Sequence, residues 1–325
     1  MANRKYSVFI DHVGTFSDRY CTAYSEKPFT ISEKFDRVAS IPLLSAVDLN
    51  MTADYIAAKD EIKASLARTG LCVNSVMMDS TADRVFKQGT FSSLDKAVRD
   101  RAIADAKNAM DFAEELGCPT FAIWPGQDGY DYLFSADYIK ERTLFGEALL
   151  ELSAYKPHMN IALEYKPKEP RIHSYVDTMT GTLLMIEKLG AKNLGIAMDY
   201  GHSFFGRENP AEAVALLSMY GGKLLCIHMN DNNGLWDDDM IAGSVNTLPY
   251  LEFIYWLRRT GYEGYITFDQ FPYREESREA VNESALWFDY LEGLMDKADM
   301  DEIAAVLAKK DGVAASRLMR KLLRG

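Results

Sequence analysis

Four short apolar runs each end in one ionisable residue: Ile-Ala-Leu-Glu164, Ile-Ala-Met-Asp199, Cys-Ile-His228 and Ile-Thr-Phe-Asp269. Carboxylates drawn within a few ångströms raise one another's pKa values unless a cation neutralises them, so three of them converging with an imidazole imply a bound metal ion. An oxygen-rich shell with a single imidazole suits Mn²⁺, Mg²⁺ or Co²⁺, with Mn²⁺ the leading expectation, and the affinity order keeps Zn²⁺ open. More donors follow closely. His202 stands three residues after Asp199, and Asp237-Asp238-Asp239 lies nine to eleven residues after His228. In an extended loop, residues 237 and 239 face the same way, which would offer a second cation Asp199, His202, Asp237 and Asp239. An acidic loop turned to solvent is the alternative, so one or two ions per chain are expected.

Such residues act together only if the fold gathers them. Eight β-type runs, at 6–10, 46–49, 72–76, 120–123, 160–164, 195–199, 223–228 and 264–269, alternate with helical patterns at 32–39, 53–69, 94–116, 136–155, 175–189, 210–219 and 248–260. Gly117, Gly190 and Gly261 stand where helices should stop, and Asn209-Pro210 where one should start. The alternation predicts an α/β protein with a parallel sheet covered by helices: a single (β/α)₈ barrel with a C-terminal helical extension, an open doubly wound sheet being the alternative. No Gly-rich phosphate loop follows any strand, which weakens the open-sheet option. In a barrel the catalytic groups come from the C-terminal ends of the strands, where Glu164, Asp199, His228 and Asp269 stand. The barrel is assigned to 1–290 and a helical tail to 291–325. The tail ends in Arg317, Arg320, Lys321 and Arg324 and is expected to pack on the barrel or on a second copy of the chain, giving a homo-oligomer.

Composition narrows the partners. A net charge of −12 repels a phosphate backbone, which argues against nucleic acid. No stretch approaches the roughly 18 uninterrupted apolar residues that a membrane helix needs, and the first residues run into the 6–10 strand without a secretory leader pattern. A cytoplasmic protein is expected. Cys21, Cys72, Cys118 and Cys226 form no close pair and read as buried reduced thiols.

The segment Glu164-Tyr-Lys166-Pro-Lys-Glu169-Pro-Arg171 closely resembles the E-x-K-P-x-E-P-R signature of xylose isomerases. The resemblance continues in order: Ile-Trp124-Pro-Gly126-Gln-Asp-Gly129 is similar to W-G-G-R-E-G, Asp199-Tyr-Gly201-His202 to E-x-G-H, and Lys223-Leu-Leu-Cys-Ile-His228-Met-Asn230 to K-L-F-H-I-D-L-N. Asp237-Asp-Asp239 with Gly243 resembles a D-x-D ligand loop, and Phe268-Asp269 the final F-D ligand. Asp199 stands where that family has Glu, and His228 where it has Asp. The set Glu, Asp, His, Asp instead resembles two-metal L-rhamnose isomerase. It is also similar to D-tagatose 3-epimerase, except that Asp269 replaces a glutamate.

The resemblance implies a metal-dependent sugar isomerase that interconverts an unphosphorylated aldose and ketose by hydride shift. One ion would sit at Glu164, Asp199, His228 and Asp269, and a second at His202, Asp237 and Asp239. Lys166 would hydrogen-bond the carbonyl oxygen, and Glu164, Asp269 and His202 complete the catalytic set. Trp124, Phe16 and Phe271 would wall the sugar site, with Arg171 as a further substrate contact; for Trp124, plain barrel core is the other reading. The paired histidine and aspartate that xylose isomerases place after the second strand are missing, and His12 is either their substitute for ring opening or a hydrogen-bonded rim histidine. His173 reads as a loop residue near the site or an exposed one, and His158 as a surface residue. Two alternatives stay open. One is a one-metal ketose 3-epimerase, or a related proton-transfer or lyase enzyme on a keto-sugar, with Glu164 as base; the other is a non-catalytic metal- or sugar-binding barrel.

Overall fold

The computed structural model describes residues 4–17, 20, 21, 24, 27–78 and 80–324. Strands β1 (Lys5–Phe9), β2 (Leu44–Met51), β3 (Cys72–Met78), β4 (Thr120–Ile123), β5 (Asn160–Glu164), β6 (Leu194–Asp199), β7 (Leu224–Met229) and β8 (Tyr265–Phe268) form a closed barrel. Every strand lies beside its neighbours in sequence, all pairings are parallel, and β8 closes on β1. The (β/α)₈ expectation is met. The strands read as near-continuous apolar runs because each is buried both by the helices outside and by the barrel interior.

Twelve helices are described: α1 (Ile31–Ala39), α2 (Ala53–Ala57), α3 (Lys59–Thr69), α4 (Lys96–Glu115), α5 (Tyr138–Tyr155), α6 (Met179–Leu189), α7 (Tyr200–Phe205), α8 (Pro210–Met219), α9 (Thr247–Thr260), α10 (Ser277–Asp296), α11 (Met300–Lys309) and α12 (Gly312–Leu322). Their starts follow local chemistry: Thr30 and Glu33 form a reciprocal capping box on α1, and the Asn209 side chain caps α8 with Pro210 in its first turn. Three boundaries differ from the sequence reading. The helix expected over 53–69 breaks at Ala58. The one expected from 175 starts at Met179, because His173–Ser174 is drawn into a two-stranded ribbon with Gly129–Tyr130. Gly129 permits that ribbon, since a Cβ there would lie 2.0 Å from the His173 carbonyl oxygen. Finally, position 290 falls inside α10, so the tail proper is α11 and α12. Ile303 of α11 is buried, and Leu318 and Leu322 of α12 pack against the core.

The barrel interior is layered. Phe9, Asn50, Met77, Trp124, Glu164, Asp199, His228 and Asp269 lie within one residue of the strand ends, and two residues earlier come Ser7, Asp48, Ser75, Ala122, Ala162, Ala197, Cys226 and Thr267. A spacing of two keeps both sets on the inward face. Of the lower set, Ala122, Ala162, Ala197 and Cys226 join Phe9 and Met77 in a buried apolar cluster. The other half is polar: the fully buried Asp48 carboxylate accepts hydrogen bonds from Ser7, Ser75, Asn74 (2.9 Å) and Thr267 (3.1 Å).

No described helix is long and apolar enough to cross a membrane. The four cysteines are unbridged. Cys118 and Cys226 are buried as expected, whereas Cys72 is exposed and Cys21 is half-buried, so the expectation of four buried thiols is corrected for those two.

Candidate active site

The upper interior layer brings Glu164, Asp199, His228 and Asp269 together, with one ligand atom from each lying within 4.8 Å of the others. Asp199, His202 and Asp237 meet the same limit, and Asp199 is common to both groups. The local sequence explains the second group. Asp199 ends β6 and caps α7, its Oδ1 accepting the His202 backbone N–H at 2.8 Å, which turns the imidazole back over the barrel mouth. Its Oδ2 accepts from Asn230 Nδ2 at 3.0 Å. Asn230 reaches it only because residue 201 is glycine: a Cβ there would lie 1.9 Å from Asn230 Oδ1.

The His202 ring is oriented at both nitrogens. Nδ1 donates to the Tyr165 carbonyl at 3.0 Å, which leaves Nε2 facing Asp237 Oδ2, also at 3.0 Å. Burial lowers the pKa of His202, but Asp199 and Asp237 outweigh it and bring it up to about 9. His228 is likewise lowered by burial and raised further by Glu164, up to about 10. Burial pushes the Asp199 carboxyl up to about 7. Glu164 and Asp237, also opposed by burial, end below the carboxylate range through His228 and His202 respectively. Without a metal, the centre is thus a set of carboxylates balanced by two imidazoliums and a lysine.

Among the members of the two ligand groups, His228 and Asp237 have buried polar atoms without hydrogen-bond partners. His228 is completely buried and neither ring nitrogen is hydrogen-bonded, although Glu164 Oε2 lies 3.3 Å from Nδ1; Asp237 Oδ1 is also buried without a partner. Buried polar atoms in native proteins are nearly always satisfied. A cation held at these atoms supplies the missing interaction, and the mixed oxygen and imidazole donors fit a divalent ion of the Mn²⁺, Mg²⁺, Co²⁺ or Zn²⁺ group.

The centre opens into a cavity of about 570 Å³. Lys166 enters it from just beyond β5, its Nζ 2.7 Å from both Asp237 and Glu169 and 5.1 Å from the centre of the Trp124 ring. Burial works against the ammonium, but Asp237, Asp239 and Glu169 outweigh it and hold its pKa above the ordinary lysine range. Trp124, Phe16, Phe271 and His12 line the same cavity, with Phe16 and Phe271 edge-to-face at 5.2 Å. His12 lies in a 3₁₀ turn after β1. Its Nδ1 accepts the Gln270 backbone N–H at 3.3 Å, so Nε2 carries the proton and points at Asp269 Oδ1, 3.5 Å away. Burial lowers its pKa, with Asp269 and Asp11 opposing the shift.

Two expected residues fall elsewhere. Arg171 does not line the cavity: its guanidinium reaches the Lys87 carbonyl at 2.9 Å and Asp131 at 3.3 Å, clasping the loop after β5 to its neighbours. Asp239 lines the cavity but belongs to neither ligand group. Its backbone is left-handed (φ 49°) and its carbonyl accepts from Phe271, while its carboxylate acts on Lys166 and Asp237 from outside the ligand groups and Asp238 turns outward to accept from Asn233. His173 is held in the ribbon against Tyr130, and His158 is exposed and paired with Glu114. A larger groove, about 730 Å³, runs between α9 and the tail, lined by Trp256, Ile303 and Leu318, and contains none of the groups above.

The family described as xylose isomerase-like TIM barrel matches residues 39–291. The chain belongs to that family. It is 32% identical over 227 residues to a xylose isomerase of Thermus thermophilus, a stretch covering 67% of this chain and 58% of that protein, so the chain spans little more than half the length of this curated relative. Among solved structures it is similar to a 3-keto-D-glucoside 4-epimerase from E. coli (TM-score 0.68, 16% identity, 89% of this chain and 100% of the other). It is likewise similar to a D-psicose 3-epimerase from Clostridium cellulolyticum (TM-score 0.64, 14% identity, 89% and 98%). At those identities the likeness is one of fold.

Within this xylose isomerase-like barrel, some residues of the site escaped the sequence reading. Asn230 was visible at the end of the His228 strand motif, but nothing local showed that it would donate to Asp199. Tyr165, fully buried between two site residues, orients His202 through its carbonyl, and its hydroxyl pairs with Ser203. Glu169, quoted within the signature, proves to be a partner of Lys166.

Proposed function

We propose that this protein is a divalent-metal-dependent isomerase that interconverts an unphosphorylated aldose and ketose. The observation that carries the reading is the pair of ligand groups joined through Asp199, with Lys166 beside the second. Two adjacent ligand groups opening into one cavity suit the clamping of two neighbouring sugar oxygens. Glu164, Asp199, His228 and Asp269 would hold one ion and Asp199, His202 and Asp237 the other, with Asp239 behind them. When bound, such ions polarise the sugar oxygens as Lewis acids.

The protein's own groups do the rest. Lys166 donates a hydrogen bond to O1 as negative charge develops there, from an ammonium that Asp237 and Glu169 keep protonated and fixed. Trp124, Phe16 and Phe271 cover the sugar's apolar face and exclude water from the carbons that exchange hydrogen. His12, with its Nε2–H turned toward Asp269 at the cavity wall, is placed to donate a hydrogen bond to a sugar ring oxygen. Val313, Met319 and Leu323 of the tail stand exposed, and the tail is the proposed contact with a second copy, to be tested by light scattering.

A panel of free aldoses and ketoses with Mn²⁺ tests the activity, and a substrate deuterated at C2 tests the path. Label delivered to C1 of the ketose supports hydride shift. Label exchanged into solvent would overturn it in favour of proton transfer with Glu164 as base, as an epimerase requires. Glu164→Gln should abolish turnover with the fold intact; unchanged turnover would overturn the catalytic assignment.

A further inference from the structure

The cavity that holds the candidate metal centre has a second group of polar side chains on its wall. Asp11 in the 3₁₀ turn after β1, Lys34 on α1 and Asn50 on β2 line the same cavity as Glu164 and Asp269 and belong to neither ligand group. We propose that this group recognises the far hydroxyl groups of a neutral polyhydroxylated ligand, with Lys34 as donor and Asp11 and Asn50 as acceptors. The assignment rests on the sugar-handling reading above and narrows its substrate class.

Lys34 Nζ lies 2.6 Å from Asp11 Oδ1, and the same oxygen accepts the Tyr55 hydroxyl at 2.6 Å. Both donors converge on one oxygen, so among the described residues Oδ2 accepts no hydrogen bond. The ammonium has three N–H groups, of which one goes to Asp11 and a second faces Tyr55 at 3.4 Å. Asn50 Oδ1 is buried and has no hydrogen-bond partner. A free N–H next to two free acceptor oxygens matches hydroxyl groups, each of which donates and accepts at once.

The charge balance argues against an anionic end group. Lys34 is already neutralised by Asp11. The other cationic groups lining the cavity, Lys166 and His202, are engaged with Asp237 in the second ligand group, and the proposed ions are engaged by the two ligand groups. A phosphate or carboxylate beside Lys34 would therefore find no unpaired cation, whereas a hydroxyl needs none.

The test is binding of unreactive polyols to the Mn²⁺-loaded protein by calorimetry, comparing sorbitol with glycerol, which cannot reach both Lys34 and the ions. Sorbitol is expected to bind at least about ten-fold more tightly, the scale of a hydrogen bond to a charged group. In Lys34→Met that ratio falls toward one, and Asn50→Ala, which leaves the Lys34–Asp11 pair in place, lowers it in the same direction. Circular dichroism and Mn²⁺ uptake check that both variants fold. A ratio unchanged in both variants, or no discrimination by the unmodified protein, overturns the proposal. A tighter hold on sorbitol 6-phosphate that vanishes in Lys34→Met overturns the neutral-ligand assignment. Polyol discrimination that depends on Lys34, without conversion of any aldose, would sink the isomerase reading and leave this one standing; conversion without discrimination does the reverse.

Discussion

Lys166 Nζ lies 2.7 Å from Asp237 Oδ2, so the loops after β5 and β7 are joined by a buried ion pair inside the cavity. The pair fixes the donor expected at the sugar carbonyl and one carboxylate of the second ligand group together, and neither can move alone.

Breaking a buried pair from one side costs about 3–5 kcal/mol because the remaining charge is stranded. Lys166→Met leaves Asp237 only His202 as partner, and the expected loss is about 3 kcal/mol in urea unfolding of chelator-treated protein. Adding Asp237→Asn should restore more than half of it. Losses that simply add would show that the two side chains are not coupled.

Because Asp199 belongs to both ligand groups, the two sites should be lost together. Asp199→Ala is expected to retain no Mn²⁺ after desalting, and Asp237→Asn one equivalent, against two for the unmodified protein. Elemental analysis decides. A fully occupied single ion in Asp199→Ala would contradict the shared ligand.

Metal affinity should rise with pH. His202, raised to about 9, and His228, raised to about 10, are imidazolium at neutral pH in the metal-free centre, so a cation must displace a proton from each. Between about pH 7 and 8, the apparent Mn²⁺ affinity of each site should climb about one decade per pH unit, because each ligand group contains one of the two histidines, and more steeply below about pH 7, where Asp199 also gives up a proton. The same protonation stabilises the metal-free fold below the ordinary imidazole value of 6.5, and that contribution fades as pH passes through about 9 to 10. Titration calorimetry in buffers of differing ionisation enthalpy counts the released protons, and an affinity independent of pH would refute the imidazolium pairing.

Arg171 should matter to the loop more than to the sugar. Arg171→Ala removes hydrogen bonds to the Lys87 carbonyl and the Asp131 carboxylate, with an expected cost of about 1–3 kcal/mol. Hydrogen exchange should quicken at residues 84–90 and 129–133, while KM for the best sugar moves far less than in Lys34→Met. A KM increase as large as that of Lys34→Met would return Arg171 to the binding site.

The strand-end residues were legible because each is a polar group closing an apolar run, a pattern that chain-local chemistry fixes. The spacing of Asp199 and His202 was legible for the same reason, since an aspartate capping a helix turns the third residue back over it. Arg171 was misread because its signature names the residue but not its direction, which Lys87 and Asp131 set from loops far away in sequence. Alternation along the loop put Asp237 and Asp239 on the cavity side with Asp238 turned away, but it carried no information on whether Asp239 comes close enough to join a ligand group. Lys34, Asp11 and Asn50 come from three separate elements and meet only when the barrel closes. The Asp48 cluster depends on the same closure through Thr267, and the Gly129 ribbon on the pairing of loops that follow two neighbouring strands.

The Asp48 cluster and the alanine half-layer beside it fill the barrel one step below Glu164 and His228. Among the described residues the candidate substrate cavity is therefore closed at its barrel end, like a blind well. Whatever enters must leave on the side it came from, so product and substrate compete there, and turnover should slow competitively as product accumulates.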